Sequence, residues 1–224
     1  MTDPTPVVLL HGFATSSART WWETGWLDLL ADAGRATAPI DILGHGKAEK
    51  PHDPAAYADL EGYVAERLPD GPLDAIGFSM GARLLLGVAI AAPTRFRRIV
   101  TLGVGRNLFE SSGSDVVVRA VETGGDPANP AADYFARLAA QPDVDREALL
   151  ACVRAPLRLL TAEECARVTV PVLVVIGDQD FCGPGEPLAE ALPDARLTVL
   201  RGADHFSTPK DFGAIDATLR FLEG

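Results

Sequence analysis

The chain has 224 residues, 47% hydrophobic and 23% charged, and its 20 basic and 31 acidic side chains leave a net charge of −11. That size and mix fit one globular unit with a sizeable core, and exclude a disordered chain, a collagen-like repeat and a small disulfide scaffold. The acidic balance repels phosphate backbones and anionic headgroups, so neither nucleic acid nor a membrane surface is an expected partner.

The longest apolar run, around Leu84 to Ala92, is broken by Gly87 and ended by Pro93, well short of the roughly 18 residues of a membrane span. Met1-Thr2-Asp3-Pro4 lacks the basic start and apolar stretch of a secretory leader. Cys152, Cys165 and Cys182 are odd in number and irregular in spacing. They suit neither a disulfide framework nor a zinc site, and a reducing, cytoplasmic setting is expected.

Apolar runs alternate with helical patterns along the chain. Val7 to Leu10 is a short continuous apolar run ended by His11-Gly12, as in a strand buried on both faces. Trp26 to Ala33 carries helical spacing and stops at Gly34. Ala36 to Ile42 is a second predicted strand, and a helix is predicted from Asp53-Pro54 to about Leu68, with Asp53 as N-cap. Leu73 to Phe78 is a third strand, Met80 to Ala92 a helix, and Ile99 to Val104 a fourth strand. Val172 to Ile176 and Leu197 to Leu200 follow as the fifth and sixth, and Phe212 to Leu222 is a closing helix.

Strand, helix, strand in repetition predicts an α/β fold: an open, mostly parallel sheet with helices on both faces. The stretch 106–170 breaks the rhythm. Asp115 to Glu122, Ala131 to Ala140 and Arg146 to Arg154 are predicted helices, divided by Ser111 to Ser114 and by Gly124-Gly125-Asp126-Pro127. Residues 1–224 are expected to form one domain, with 106–170 inserted as a helical lid.

Gly77-Phe78-Ser79-Met80-Gly81 lies between a predicted strand and a predicted helix. A sharp turn there forces Ser79 into a strained conformation and needs small neighbours two residues to either side, which Gly77 and Gly81 supply. It lifts the hydroxyl off the sheet and leaves the Met80 N–H at the helix N-terminus, facing the same space. Ser79 is therefore the candidate nucleophile; the bland alternative is a glycine-rich turn with an incidental serine.

The sequence resembles the α/β-hydrolase fold family along nearly its whole length. The landmarks fall in order: His11-Gly12-Phe13 after the first strand, Asp41-Ile42-Leu43-Gly44-His45-Gly46 after the second, and the Ser79 elbow after the third. Gly177-Asp178-Gln179-Asp180 then follows the fifth and Ala203-Asp204-His205-Phe206 the sixth. The resemblance implies His205 as general base, since the family places its base in the loop before the last helix. His11 is implied to brace the loop beneath the site. His45 and His52 sit in Gly- and Pro-rich turns. By position alone Asp178 and Asp180 compete as the acid; the family pattern Gly-x-x-Asp selects Asp180, leaving Asp178 as a turn residue and Asp204 in the loop. The implied oxyanion donors are the backbone N–H groups of Met80 and Phe13, with Gly12 permitting close approach.

Weaker signals are read both ways. Arg83 is one helical turn past Ser79 and is either a structural ion-pair partner or a cation for an acidic substrate. Gly77 to Arg83 is similar to the elbow of the menaquinone-pathway synthase, which eliminates rather than hydrolyses; Ala48 and the sequence after His205 depart from that branch. Trp21, with Trp22 and Trp26, either lines a substrate pocket or packs in the core. Met80 either touches substrate or fills the elbow. Cys182 reads as a small loop residue, nothing arguing for a reactive thiol. No ligand spacing suits a metal, and no glycine-rich motif suits a nucleotide. The expected activity is hydrolysis of a small carboxylic ester, thioester or lactone by a serine hydrolase through an acyl-enzyme, with no cofactor and with a small-molecule acyl substrate as partner. The alternatives are an elimination enzyme of the same fold or a non-catalytic ligand-binding relative. The sequence does not set an oligomeric state.

Overall fold

The computed structural model describes residues 5–110, 114–126, 128–156 and 158–223. Met1 to Pro4, most of the predicted Ser111 to Ser114 loop, and Pro127 lie outside them. Six strands form one sheet in the order β2-β1-β3-β4-β5-β6. They are β1 (Val7–Leu10), β2 (Thr37–Ile40), β3 (Leu73–Phe78), β4 (Phe96–Leu102), β5 (Val172–Gly177) and β6 (Ala195–Leu200). Every pairing is parallel, so the crossovers bring helices onto both faces. The helices are α1 (Trp26–Asp32), α2 (Leu60–Ala65), α3 (Met80–Ala91), α4 (Ser114–Thr123), α5 (Pro130–Ala139), α6 (Arg146–Arg154), α7 (Ala162–Cys165), α8 (Glu186–Ala191) and α9 (Phe212–Glu223).

The strand period of two divides the core. Val8, Leu10, Leu73, Ala75, Val172 and Val174 face a layer built with α2, α3, α7 and α8. The alternate residues Val7, Leu9, Ile76, Phe78, Leu173 and Val175 face Trp26 and Leu30 of α1 and Ala214 and Phe221 of α9. Both faces of the central strands are covered, which is why these runs are continuously apolar rather than alternating.

Several predicted boundaries shift: β2 is shorter than Ala36 to Ile42 and β6 starts before Leu197. The helix expected from Asp53 to Leu68 divides into a short turn at Pro54–Tyr57 and α2. Asp53 accepts from the Ala55 N–H, and Asp59 then caps a second start by accepting from the Gly62 N–H. A local side-chain bond here offers the backbone an alternative to one continuous helix. The fourth strand begins at Phe96 and stops at Leu102, because Phe96 is buried against the sheet and Gly103 turns the chain away at φ +67°.

Between β4 and β5 the described residues hold α4 to α7 and no strand. α4, α5 and α6 dock on the sheet's C-terminal rim through small apolar clusters: Val121, Ala139 and Leu149 with Ala14; Ala151 and Cys152 with Leu43 and Tyr57; and Phe135 with Phe206. Phe13 packs against all three clusters. This cover is tied to the rim by the Arg19–Asp143 and His52–Asp145 pairs and within itself by Arg154–Glu122.

Candidate active site

The strand register puts Leu10, Gly77 and Ile40 level with one another, and Phe78 level with Leu102. The residues that follow them therefore emerge along one rim, where open α/β sheets place their sites. At that rim Ser79 has φ +52° and ψ −114°, a conformation few non-glycine residues adopt. It is held by the Ser79 N–H donating to the Leu102 carbonyl at 2.9 Å and by α3 beginning at the next residue. A methyl on Gly77 would lie 2.6 Å from the Ala82 backbone, and one on Gly81 2.6 Å from the His11 carbonyl oxygen. Both glycines are dictated by close backbone approach.

The structure brings Ser79, His205 and Asp180 into one chain of hydrogen bonds. His205 Nε2 is 3.0 Å from Ser79 Oγ, and His205 Nδ1 is 3.0 Å from both Asp180 carboxylate oxygens. A carboxylate can only accept, so Nδ1 carries the proton and Nε2 is left to accept from the serine hydroxyl. Asp180 and His205 are buried, and the Cys182 N–H donates to Asp180 Oδ1 at 2.8 Å, fixing the carboxylate further. The His205 ring lies against Phe181 at 4.5 Å and Phe78 at 5.0 Å between centroids. Gly103 makes room for it, since a methyl there would meet Nδ1 at 3.1 Å. Asp178 accepts from the Gly202 N–H and Asp204 from the N–H groups of Phe206 and Ser207, so each shapes a turn beside the chain.

The loop after β1 is positioned by histidine. The Ile42 N–H donates to His11 Nε2 at 3.0 Å, which makes His11 Nδ1–H the donor to the Gly12 carbonyl at 2.7 Å. Gly12 comes so near the elbow that a methyl on it would meet Phe78 at 2.9 Å and Ser79 Cβ at 3.3 Å. Phe13 follows at the mouth. The Met80 N–H, in the first turn of α3, has no acceptor within the helix by geometry and lies at the positive end of its dipole. Asp41 ties the neighbouring turn by accepting from the Ser17 and Lys47 N–H groups.

His45, beneath this loop, is buried and its pKa falls to about 3, first through burial and then through the nearby His11. His11 is shifted down for the same first reason. Both stay neutral in the fold while an unfolded chain protonates them near 6.5. The unfolded state then binds more protons, so the stability they confer is complete above that pH and is lost as pH falls. His45 alone is expected to cost about 2 kcal/mol between pH 6.5 and 5. Urea midpoints at pH 7.5 and 5.0 check this: the acid midpoint must be lower, and equal midpoints would refute the assignment.

Two cavities open on Ser79 and share Phe13 and Phe135 as walls. One, about 200 Å³, adds Thr15, Arg19, Tyr134 and Lys210 and is mixed in polarity. The other, about 250 Å³, is mostly apolar, with Leu60, Met80, Leu84 and Val117, and has Arg83 in its wall. Among the described residues no carboxylate lies within ion-pair distance of Arg83. Its guanidinium donates instead to the Asn107 and Arg158 carbonyls at 2.8 and 3.0 Å, which sets aside the ion-pair reading of this residue. Trp21 is not brought to the site. It is wholly buried with Trp26 on the α1 side of the sheet and lines neither cavity, while Trp22 is exposed. Sequence reasoning missed Phe135, Phe181, Phe206 and Gly103, for only tertiary packing sets these rings and this space around His205.

The fold and site together define a class, and sequence comparison agrees with it. A family model described as the alpha/beta hydrolase fold matches residues 5–121. The chain belongs to the α/β-hydrolase fold family. A rat protein named as a protein-lysine deacylase, ABHD14B, is 28% identical over 205 residues, covering 89% of this chain and 73% of that protein. The 2-hydroxy-6-oxo-2,4-heptadienoate hydrolase of Pseudomonas putida is 32% identical over 144 residues, covering 58% of this chain and 49% of its own length. A structure from a study of carboxylesterases of the thaumarchaeon Nitrososphaera gargenis superposes with a TM-score of 0.75 at 18% identity, over 98% of this chain and 90% of that one. At that identity it is a likeness of fold. No helix among the described residues is long and apolar enough to cross a membrane.

Proposed function

We propose that this chain is a serine hydrolase that cleaves a small carboxylic ester, thioester or lactone through an acyl-enzyme. The observation that carries the reading is the continuous Ser79–His205–Asp180 hydrogen-bond chain at the mouth of both cavities. Ser79 Oγ attacks the substrate carbonyl as its proton passes to His205 Nε2, and Asp180 holds the ring and stabilises the imidazolium. The N–H groups of Met80 and Phe13 receive the oxyanion, each contributing about 3 kcal/mol to the barrier reduction. His205 returns its proton to the leaving group, then activates the water that frees Ser79. No step calls for a cofactor. A fluorophosphonate probe must label Ser79 stoichiometrically in the native protein, and product formed in heavy-oxygen water must carry solvent oxygen in its carboxylate. Absence of label would leave the ligand-binding alternative standing.

The substrate's acyl half is assigned to the apolar cavity, with an acidic group directed at Arg83. Two things support this: a guanidinium in the wall of a mostly apolar cavity with no carboxylate within ion-pair distance among the described residues, and a Pseudomonas relative named for an unsaturated oxo-carboxylate substrate. The same feature favours the elimination reading, in which His205 removes a proton from carbon and the product gains no solvent oxygen. Arg83→Met is expected to raise KM for an acid-bearing ester about 10-fold or more with kcat little changed, since a charge-assisted contact is worth roughly 1.5–3 kcal/mol. KM for a neutral ester of the same length is expected to stay within about 2-fold. Equal losses on both esters would remove Arg83 from substrate recognition.

A further inference from the structure

The mechanism uses Asp180 and His205 but leaves the thiol between them unassigned. Asp180, Cys182 and His205 are all buried, and each offers one ligand-type atom within 4.8 Å of the other two. The sequence shows no metal spacing here because two ligands sit on the loop after β5 and the third follows β6, 25 residues beyond Asp180. Carboxylate oxygen, thiol sulfur and imidazole nitrogen are the donor types that tetrahedral zinc takes, at about 2.0 Å for oxygen and nitrogen and about 2.3 Å for sulfur. Such bond lengths place ligand atoms roughly 3.2–3.8 Å apart, so the longest pair needs to contract by about 1.0–1.6 Å at most. One carboxylate and one thiolate also cancel a dication's charge, which a buried site requires. The cavity that reaches Ser79 is lined by Cys182 and gives a route in.

We propose that Asp180, Cys182 and His205 form an inhibitory site for a borderline-soft divalent cation of the zinc class. The cation takes the place of the proton between His205 Nδ1 and the Asp180 carboxylate, with Cys182 Sγ as third ligand. That proton moves to Nε2, and the thiol proton is released to solvent, because a coordinating thiol is deprotonated. Nε2 then donates instead of accepting, and the Ser79 hydroxyl has lost its base. Only the inhibitory consequence rests on the serine-hydrolase reading; the binding does not.

Cadmium and zinc salts are the probes. Titrating the purified protein with Cd2+ is expected to give one equivalent of thiolate-to-cadmium charge-transfer absorbance. The band must be kept in Cys152→Ser, whose thiol lines the same cavity, and be lost in Cys182→Ser. Zn2+ is expected to suppress ester turnover reversibly, with EDTA restoring it, and Cys182→Ser must raise the half-inhibiting Zn2+ concentration at least about 10-fold. Cys182→Ala serves if the serine variant misfolds. The cadmium band is also read in Ser79→Ala, where turnover plays no part, so failure of the site and failure of the catalytic reading are told apart. No band in the wild type, or equal Zn2+ sensitivity in wild type and Cys182→Ser, would overturn the proposal, the second result placing the cation elsewhere, such as at the exposed His52, Asp145 and Glu147 group.

Discussion

Ser79→Ala is expected to lower kcat for p-nitrophenyl acetate by about 10^5 to 10^6-fold while leaving a folded protein. The hydroxyl is the only atom removed. Its partner His205 remains held by Asp180 through both carboxylate oxygens and packed against Phe78 and Phe181. One side-chain hydrogen bond is lost, worth about 1 kcal/mol, and alanine keeps the same strained backbone position at φ +52°. Thermal melting within a few degrees of the parent, together with loss of fluorophosphonate labelling, completes the expected pattern. Asp180→Asn is expected to cost about 10^4-fold, since an amide N–H toward Nδ1 favours the tautomer that cannot accept from serine. Turnover like that of the parent in Ser79→Ala would remove this serine from the chemistry.

Gly81→Ala is expected to be strongly destabilising. Its Cβ would lie 2.6 Å from the His11 carbonyl oxygen and against the carbonyl of Leu10 as well, and both are backbone. Helix α3 is held in place, because Ala82, Leu85, Leu86, Ala89 and Ile90 fix it in the core. Overpacking of this kind costs about 3 kcal/mol, or roughly 6–12 °C in melting temperature for a domain of this size. Gly71→Ala is the control. Unlike Gly81 it has positive φ, +83°, but a methyl there meets nothing within 4 Å, so it carries only the left-handed penalty of about 1–2 kcal/mol. Differential scanning calorimetry of the two variants separates collision from strain; equal melting temperatures would mean the elbow has slack that the structure does not show.

Much of this site is readable in the chain because its causes are local. Ser79 is marked by glycines at positions two before and two after it, and those glycines exist because neighbouring backbone comes within van der Waals reach. Asp180 follows the buried strand β5 and His205 the edge strand β6, and it is the family pattern that picks out each. Other features answer to no local pattern. The break in the predicted 53–68 helix depends on which of two aspartates caps which N–H. Trp21 and Phe135 are equally aromatic in sequence, yet one packs beneath the sheet and the other walls the cavities.

The amino-acid sequence by itself determined the alternating strands and helices, the class of fold and the nucleophile elbow, since periodicity and glycine placement act within a few residues. Only the tertiary structure decided what surrounds Ser79. Among the described residues it left Arg83 with no carboxylate within ion-pair distance, set Trp21 in the core, and brought the Cys182 thiol to the acid and base of the hydrogen-bond chain. The reason is that the parallel sheet aligns strand ends from distant stretches at one rim, and contacts made there depend on register and packing rather than on neighbours in the chain.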